Sequence, residues 1–196
     1  MSVVRAFIAI DLPTSIRRQL ARRIDDLRKA MEDLPVRWAR ADGIHLTLKF
    51  LGDTELERIP DVKQVLLNVA KSHPVFSIRL AGLGCFPNTR RPRVVWLGVE
   101  EASGVLLALH AATEAASRGL GFQPETRPFS PHLTLGRVRR DAEPKSLTVL
   151  GQAVEREESE PLGTISVEEI CLFQSELRPD GAVYTRLSAA QLGIGE

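Results

Sequence analysis

The sequence predicts an α+β fold built mainly from antiparallel sheets. Three observations carry this. Alternating or β-branched segments outnumber helical ones, their spacing is uneven, and strands and helices do not alternate as regular βαβ units. At 196 residues the chain is long enough for one domain, read here as a single unit spanning 1–196.

The elements follow in order. Residues 3–10 (VVRAFIAI) read as a first strand. After Pro13, with Thr14 as a candidate cap, Ile16, Leu20, Ile24, Leu27 and Met31 recur at steps of three or four, which is one face of a helix. Residues 36–39 suit a short strand, and 44–51 (IHLTLKFL) alternate as a longer one. Pro60 opens a second helical pattern over 60–72. Phe76, Ile78 and Leu80 alternate, whereas 84–93 (GCFPNTRRPR) reads as a basic turn. A buried strand is expected over 94–99 and an Ala- and Leu-rich helix over 101–118, ended by Gly119. Residues 131–138 form another strand, and 141–160 read as a polar segment with a solvated EREESE run. Strands near 164–174 and 182–189 flank a Pro179-Asp180-Gly181 turn.

Composition excludes several classes. Hydrophobic residues make up 43% and charged residues 26%, so the chain is neither disordered nor fibrous. The net charge of +1 argues against a globally basic nucleic-acid binder but leaves room for a local basic groove. The longest apolar stretches, about eight residues, are too short to span a bilayer. The N-terminal run holds Arg5 and lacks a cleavage site, so no signal peptide or membrane association is expected. With two separated cysteines, Cys85 and Cys171, read as small core residues, a reducing cytoplasm is the expected setting and a monomer the default state. Neither H-E-x-x-H, C-x-x-C nor G-x-S-x-G occurs, so no metal, no cofactor and no serine nucleophile is expected.

One feature stands apart. The tetrapeptide HLTL occurs at 45–48 and again at 132–135, 87 residues later. A given histidine is followed by Leu-Thr-Leu by chance on the order of one time in a thousand. The triplet Phe76-Ser77-Ile78 after the first copy has an echo in Ile165-Ser166-Val167 after the second, which suggests two related lobes.

In a strand, residues i and i+2 share a face about 7 Å apart. His45 and Thr47 therefore point one way, with Lys49 farther along, while Ile44, Leu46, Leu48 and Phe50 point into a core. His132 and Thr134 repeat the arrangement, backed by Leu133 and Leu135. Two imidazoles facing each other suit in-line displacement at phosphorus. One takes a proton from the attacking oxygen, the other gives one to the leaving oxygen, and the threonine hydroxyls hold the non-bridging oxygens. His73 and His110 read as structural or exposed. Among aromatics, Phe50, Phe86 and Phe129 are candidates to stack on a terminal base, although core packing is the default for Phe50. Arg90, in the basic turn, is a candidate contact to a phosphate-bearing substrate.

The paired H-x-T-x copies resemble the signature of the two-histidine phosphoesterase superfamily. Segments RAFIAIDLP (5–13), VRW (36–38), HLTLKFLG (45–52), GLGCFP (82–87), PRVVWLGV (92–99) and RPFSPHLTLGRV (127–138) extend the resemblance to RNA 2′,3′-cyclic phosphodiesterases, historically called 2′-5′ RNA ligases. That resemblance implies a bilobal fold of two pseudo-symmetric lobes. Two mostly antiparallel sheets face a central groove, with helices on the outer faces. It also implies hydrolysis of an RNA-terminal 2′,3′-cyclic phosphate, tRNA fragments included, to a 2′-phosphomonoester. His45 would donate the proton, His132 would accept it, and Thr47, Thr134 and Arg137 would hold the phosphate. Arg137 lies five residues after His132, so a regular strand would aim it to the wrong face and a bulge near Gly136 is expected. Reversible 2′-5′ ligation and non-catalytic holding of RNA ends are the alternatives.

Overall fold

The computed structural model describes residues 2–158, 160–178 and 181–193. Nine strands and four α-helices occur there, in the order β1 (Val3–Ile10), α1 (Thr14–Ala30), β2 (Val36–Trp38), β3 (Leu46–Glu55), α2 (Ile59–Lys71), β4 (Phe76–Phe86), β5 (Val94–Glu100), α3 (Val105–Gly119), β6 (His132–Val138), α4 (Pro144–Arg156), β7 (Gly163–Val167), β8 (Glu169–Arg178) and β9 (Gly181–Gln191). They make one sheet of order β3-β1-β8-β9 and another of order β2-β6-β5-β4-β7. Every paired strand is antiparallel, as the sequence pattern predicts.

The two halves of the chain exchange strands. The series β1-α1-β3-α2 belongs to the four-stranded sheet, and β4, which follows it, crosses to pair with β5. The series β5-α3-β6-α4 belongs to the five-stranded sheet, and β8 crosses back to pair with β1. The triplets 76–78 and 165–167 are therefore not equivalent places in separate lobes. They lie side by side, with Ser77 opposite Ser166.

Amphipathic helices close one face of the sheets. Helix α1 buries Ile16, Leu20, Ile24 and Leu27, and α2 buries Ile59, Val62, Leu66 and Val69. One continuous core joins them to Leu46 and Leu48 of β3 and to Leu133 and Leu135 of β6. The other face of the four-stranded sheet carries a smaller apolar cluster, Phe7, Ala9, Cys171 and Phe173, with Tyr184 against it. Strand β1 is thus apolar on both faces, which explains its unbroken run from Ala6 to Ile10.

Several expectations change. Thr14 is the first helical residue rather than a cap, because Pro13 occupies the boundary and no side chain caps the helix. The polar segment 141–160 contains α4, whose Leu147, Leu150 and Val154 are buried. Charged residues on either side of the helix mask its apolar stripe. Residues 84–86 belong to strand β4, and the expected 164–174 strand breaks at Glu168 into β7 and β8 of different sheets. The Pro179-Asp180 turn lies outside the described residues. No helix of the described residues is long and apolar enough to cross a membrane.

Candidate active site

Both HLTL strands carry a β-bulge at the same place. Along β1 and β3, Ala9 pairs with Thr47 but Ile8 pairs with Lys49, leaving Leu48 extra. Along β5 and β6, Trp96 pairs with Thr134 but Val95 pairs with Gly136, leaving Leu135 extra. A bulge slips the alternation by one residue, so the side chain five positions after each histidine returns to the histidine's face. In β6 that residue is Arg137, and in β3 it is Phe50. Only a glycine fits at 136, since a Cβ there would stand 2.6 Å from Val36 Cγ1.

The same slip corrects two expectations for the first copy. Phe50 does not enter the core; it is 62% exposed, 6.2 Å from the Phe7 ring on the other side of the sheet from Leu46. Lys49 does not share the His45 face. It is buried at 4% exposure, where its Nζ donates to Glu114 Oε2 at 3.0 Å and to the Gln123 carbonyl at 2.6 Å.

The two histidines are held alike. His45 Nδ1 lies 3.0 Å from the Gly43 carbonyl and His132 Nδ1 lies 2.8 Å from the Ser130 carbonyl, each two residues upstream. A carbonyl only accepts, so each Nδ1 carries the proton and each Nε2 is left as the working nitrogen. Strands β3 and β6 approach each other between the two sheets.

Their surroundings differ. The His45 ring stacks on Phe7 at 4.5 Å and meets Tyr184 edge-on at 5.0 Å, with Phe173 6.1 Å away. Burial against these rings pushes its pKa down to about 4. The Gly43 carbonyl and Asp11 oppose the shift, and Arg17 adds to it. Arg17 also clamps the turn before His45. It donates to the carbonyls of Leu12, Ala41 and Asp42 and pairs with Asp11. His132 meets the edge of Phe86 at 4.8 Å. Burial lowers its pKa too, the Ser130 carbonyl opposes this, and the Arg137 guanidinium lowers it further. Both imidazoles are therefore neutral at pH 7 in the free protein.

Trp96, opposite Thr134, floors the second half of the site. Its indole lies flat over Gly84, where any Cβ would stand 2.2 Å from the ring. The indole nitrogen is buried without a hydrogen-bond partner.

The remaining candidates fall elsewhere. The Phe129 ring stacks on His110 of α3 at 3.9 Å and packs against the core, anchoring the segment that delivers the Ser130 carbonyl. Arg90 is exposed in a turn where Asn88 Oδ1 accepts its backbone N–H. Cys85 and Cys171 are both buried and free, and burial raises their thiols to about 11 and about 12, which keeps them protonated. Among the described residues no three His, Cys, Asp or Glu side chains gather as a metal site. Sequence reasoning missed Phe7, Phe173, Tyr184, Trp96 and Arg17. For Phe7 the signal was present, since a strand apolar at consecutive positions must bury both faces.

Comparison with known proteins bears on the family and the fold. The model of the family described as LigT like phosphoesterase matches twice, over residues 10–96 and 97–184. An RNA 2′,3′-cyclic phosphodiesterase of Methanothermobacter thermautotrophicus is 34% identical over 189 residues, covering 96% of this chain and 99% of that one. The corresponding protein of Aquifex aeolicus is also 34% identical, covering 98% and 100%. Among solved structures, TT0787 of Thermus thermophilus superposes with a TM-score of 0.78 at 30% identity, covering 98% of this chain and 100% of that one. Escherichia coli LigT complexed with 3′-AMP gives 0.74 at 29% identity, covering 97% and 99%. The chain belongs to the LigT-like phosphoesterase family.

Proposed function

We propose that this protein opens RNA-terminal 2′,3′-cyclic phosphates to 2′-phosphomonoesters by metal-independent acid–base catalysis between His45 and His132. The observation that carries the reading is the twin arrangement of the two imidazoles. Each has Nδ1 tied to a carbonyl two residues back, and each is followed by a threonine on the same face. The names of the relatives supply the substrate class. We also read the chain as one domain of two pseudo-symmetric lobes, supported by the double match of the family model.

Water attacks phosphorus in line with the 3′-oxygen, and His132 Nε2 takes its proton. The bond from phosphorus to the 3′-oxygen breaks, and that oxygen takes a proton from His45 Nε2. The 2′-phosphate remains, and exchange with solvent restores both rings. Thr47, Thr134 and Arg137 hold the non-bridging oxygens and the charge that collects there. The electrostatics do not assign the roles: burial and Arg17 lower His45 to about 4 with the Gly43 carbonyl and Asp11 opposing, and burial and Arg137 lower His132. The division into donor and acceptor is the one the family resemblance implies.

The test is phosphorus NMR of a cyclic-phosphate dinucleotide treated with EDTA-stripped protein. Clean conversion to the 2′-phosphomonoester is expected. No turnover under EDTA, or a 3′-phosphate product, would overturn the reading.

A pH prediction follows from the lowered imidazoles. The free enzyme reacts through protonated His45 and neutral His132. With both groups titrating below 6.5, each pH unit above that value removes protonated His45 about tenfold without producing more base. We therefore expect kcat/KM to fall as pH rises from 6.5 to 9. The kcat profile lies to the alkaline side, because a bound phosphate anion raises both pKa values. A kcat/KM flat from pH 5 to 9 would contradict this.

A further inference from the structure

The surface around Arg137 carries a concentration of guanidinium groups. Strand β2 pairs with β6 so that Arg37 stands directly opposite Arg137. Like charges in cross-strand register are destabilising, by an amount similar to what an opposite-charge pair contributes. Among the described residues neither arginine has an ion-pair partner. Beside this pair lies an open depression of about 520 Å³, lined by Arg93, Val94, Arg137, Val138 and Arg140.

This depression is built on fixed backbone. The Arg93 N–H donates to the Phe86 carbonyl at 2.7 Å, and the Arg93 carbonyl accepts the Val138 N–H at 2.9 Å. The adjacent arginines of the sequence are separated in role. Arg139 is neutralised by Asp141, through Nε and an Nη at 3.2 and 3.1 Å. Among the described residues Arg140 has no such partner, and it lines the depression. In a chain of net charge +1, this is a local field of one sign with no carboxylate lining it. A like-charge pair facing solvent beside two further arginines is relieved by an anion placed among them.

We propose that the depression binds a second phosphate of the substrate, the internucleotide phosphate next to the cyclic end. This rests on the catalytic reading above and narrows it: the preferred substrate is an oligonucleotide end rather than a cyclic mononucleotide. Arg137 lines both places, so the scissile group and its neighbour occupy adjoining positions along β6. The planar, bidentate fork of arginine suits phosphate oxygens.

The experiment compares three substrates with the full-length protein at low salt. These are a 2′,3′-cyclic mononucleotide, a dinucleotide ending in the same cyclic phosphate, and that dinucleotide with a neutral methylphosphonate linkage. We expect kcat/KM for the charged dinucleotide to exceed that for the neutral one by about tenfold or more, with the advantage shrinking as salt rises. Arg93→Ala and Arg140→Ala should each remove most of that advantage and leave the mononucleotide unchanged, whereas Arg139→Ala should alter nothing. Equal rates on charged and neutral dinucleotides would overturn the proposal, as would an Arg140→Ala variant that slows all three substrates alike. If none of the three is opened, the catalytic reading has failed instead. Fluorescence polarisation with labelled charged and neutral dinucleotides then decides the depression by itself, equal affinities rejecting it.

Discussion

Replacing His132 with alanine is expected to lower kcat on a cyclic-phosphate dinucleotide by roughly 10²- to 10⁴-fold, the range for loss of a positioned proton acceptor. His45→Ala should fall in the same range. The double variant should be little slower than the worse single one, because the two proton transfers serve one displacement and their losses do not add. The folds should survive. His132 is a half-buried residue at the start of β6, and the Leu133 and Leu135 side chains that anchor the strand are untouched. Thermal melts of each variant, run beside single-turnover assays, separate lost chemistry from lost structure. A folded variant of either histidine within tenfold of the native rate would remove that imidazole from the mechanism.

Lys49→Ala is expected to be the most damaging single change to stability outside the apolar core. Its side chain is 3% exposed and that of Glu114 is 17%, with 2.9 Å between Nζ and Oε1. Removing the ammonium leaves a largely buried carboxylate without its counter-charge, at a cost of about 3–5 kcal/mol. For a chain of this size that is a fall in Tm of roughly 10 °C. Lys49→Leu combined with Glu114→Leu should recover much of the loss, since a pair of apolar side chains needs no desolvation of charge. A single-variant cost below about 1 kcal/mol would mean that water or a shifted side chain already solvates Glu114.

These two residues mark the boundary of what sequence pattern can show. The duplicated tetrapeptide singled out both histidines and both threonines as candidates, because local alternation alone sets their face. The place of Arg137 was legible only as a condition, that a bulge must fall near Gly136, and the register supplies that bulge. In the first copy the same slip was invisible, since Lys49 and Phe50 lack a glycine to announce it. Simple alternation therefore sent Phe50 inward and Lys49 outward, the reverse of what the structure has. The partner that makes a buried lysine tolerable, Glu114, is 65 positions away on α3, beyond the reach of any local pattern. The aromatic bed under His45 has the same origin, for Phe7, Phe173 and Tyr184 meet only because β8 and β9 return to β1. Helix α4 was hidden by the charged residues that flank it, not by its own, since only Lys145, Glu155 and Arg156 within it are charged, whereas α1 and α2 were readable from apolar residues at helical spacing and α3 from its Ala and Leu content.

The crossing of β8 back to β1 has a kinetic consequence. Arg5 is paired with Ser175, and Ala9 with Cys171. Strand β1 is synthesised well before β8, and must wait through strands β2 to β7 and helices α1 to α4 before its second neighbour exists. Closing so long a loop is entropically slow. Until then the apolar stretch from Ala6 to Ile10 has one open edge, a moment of vulnerability to association with other nascent chains.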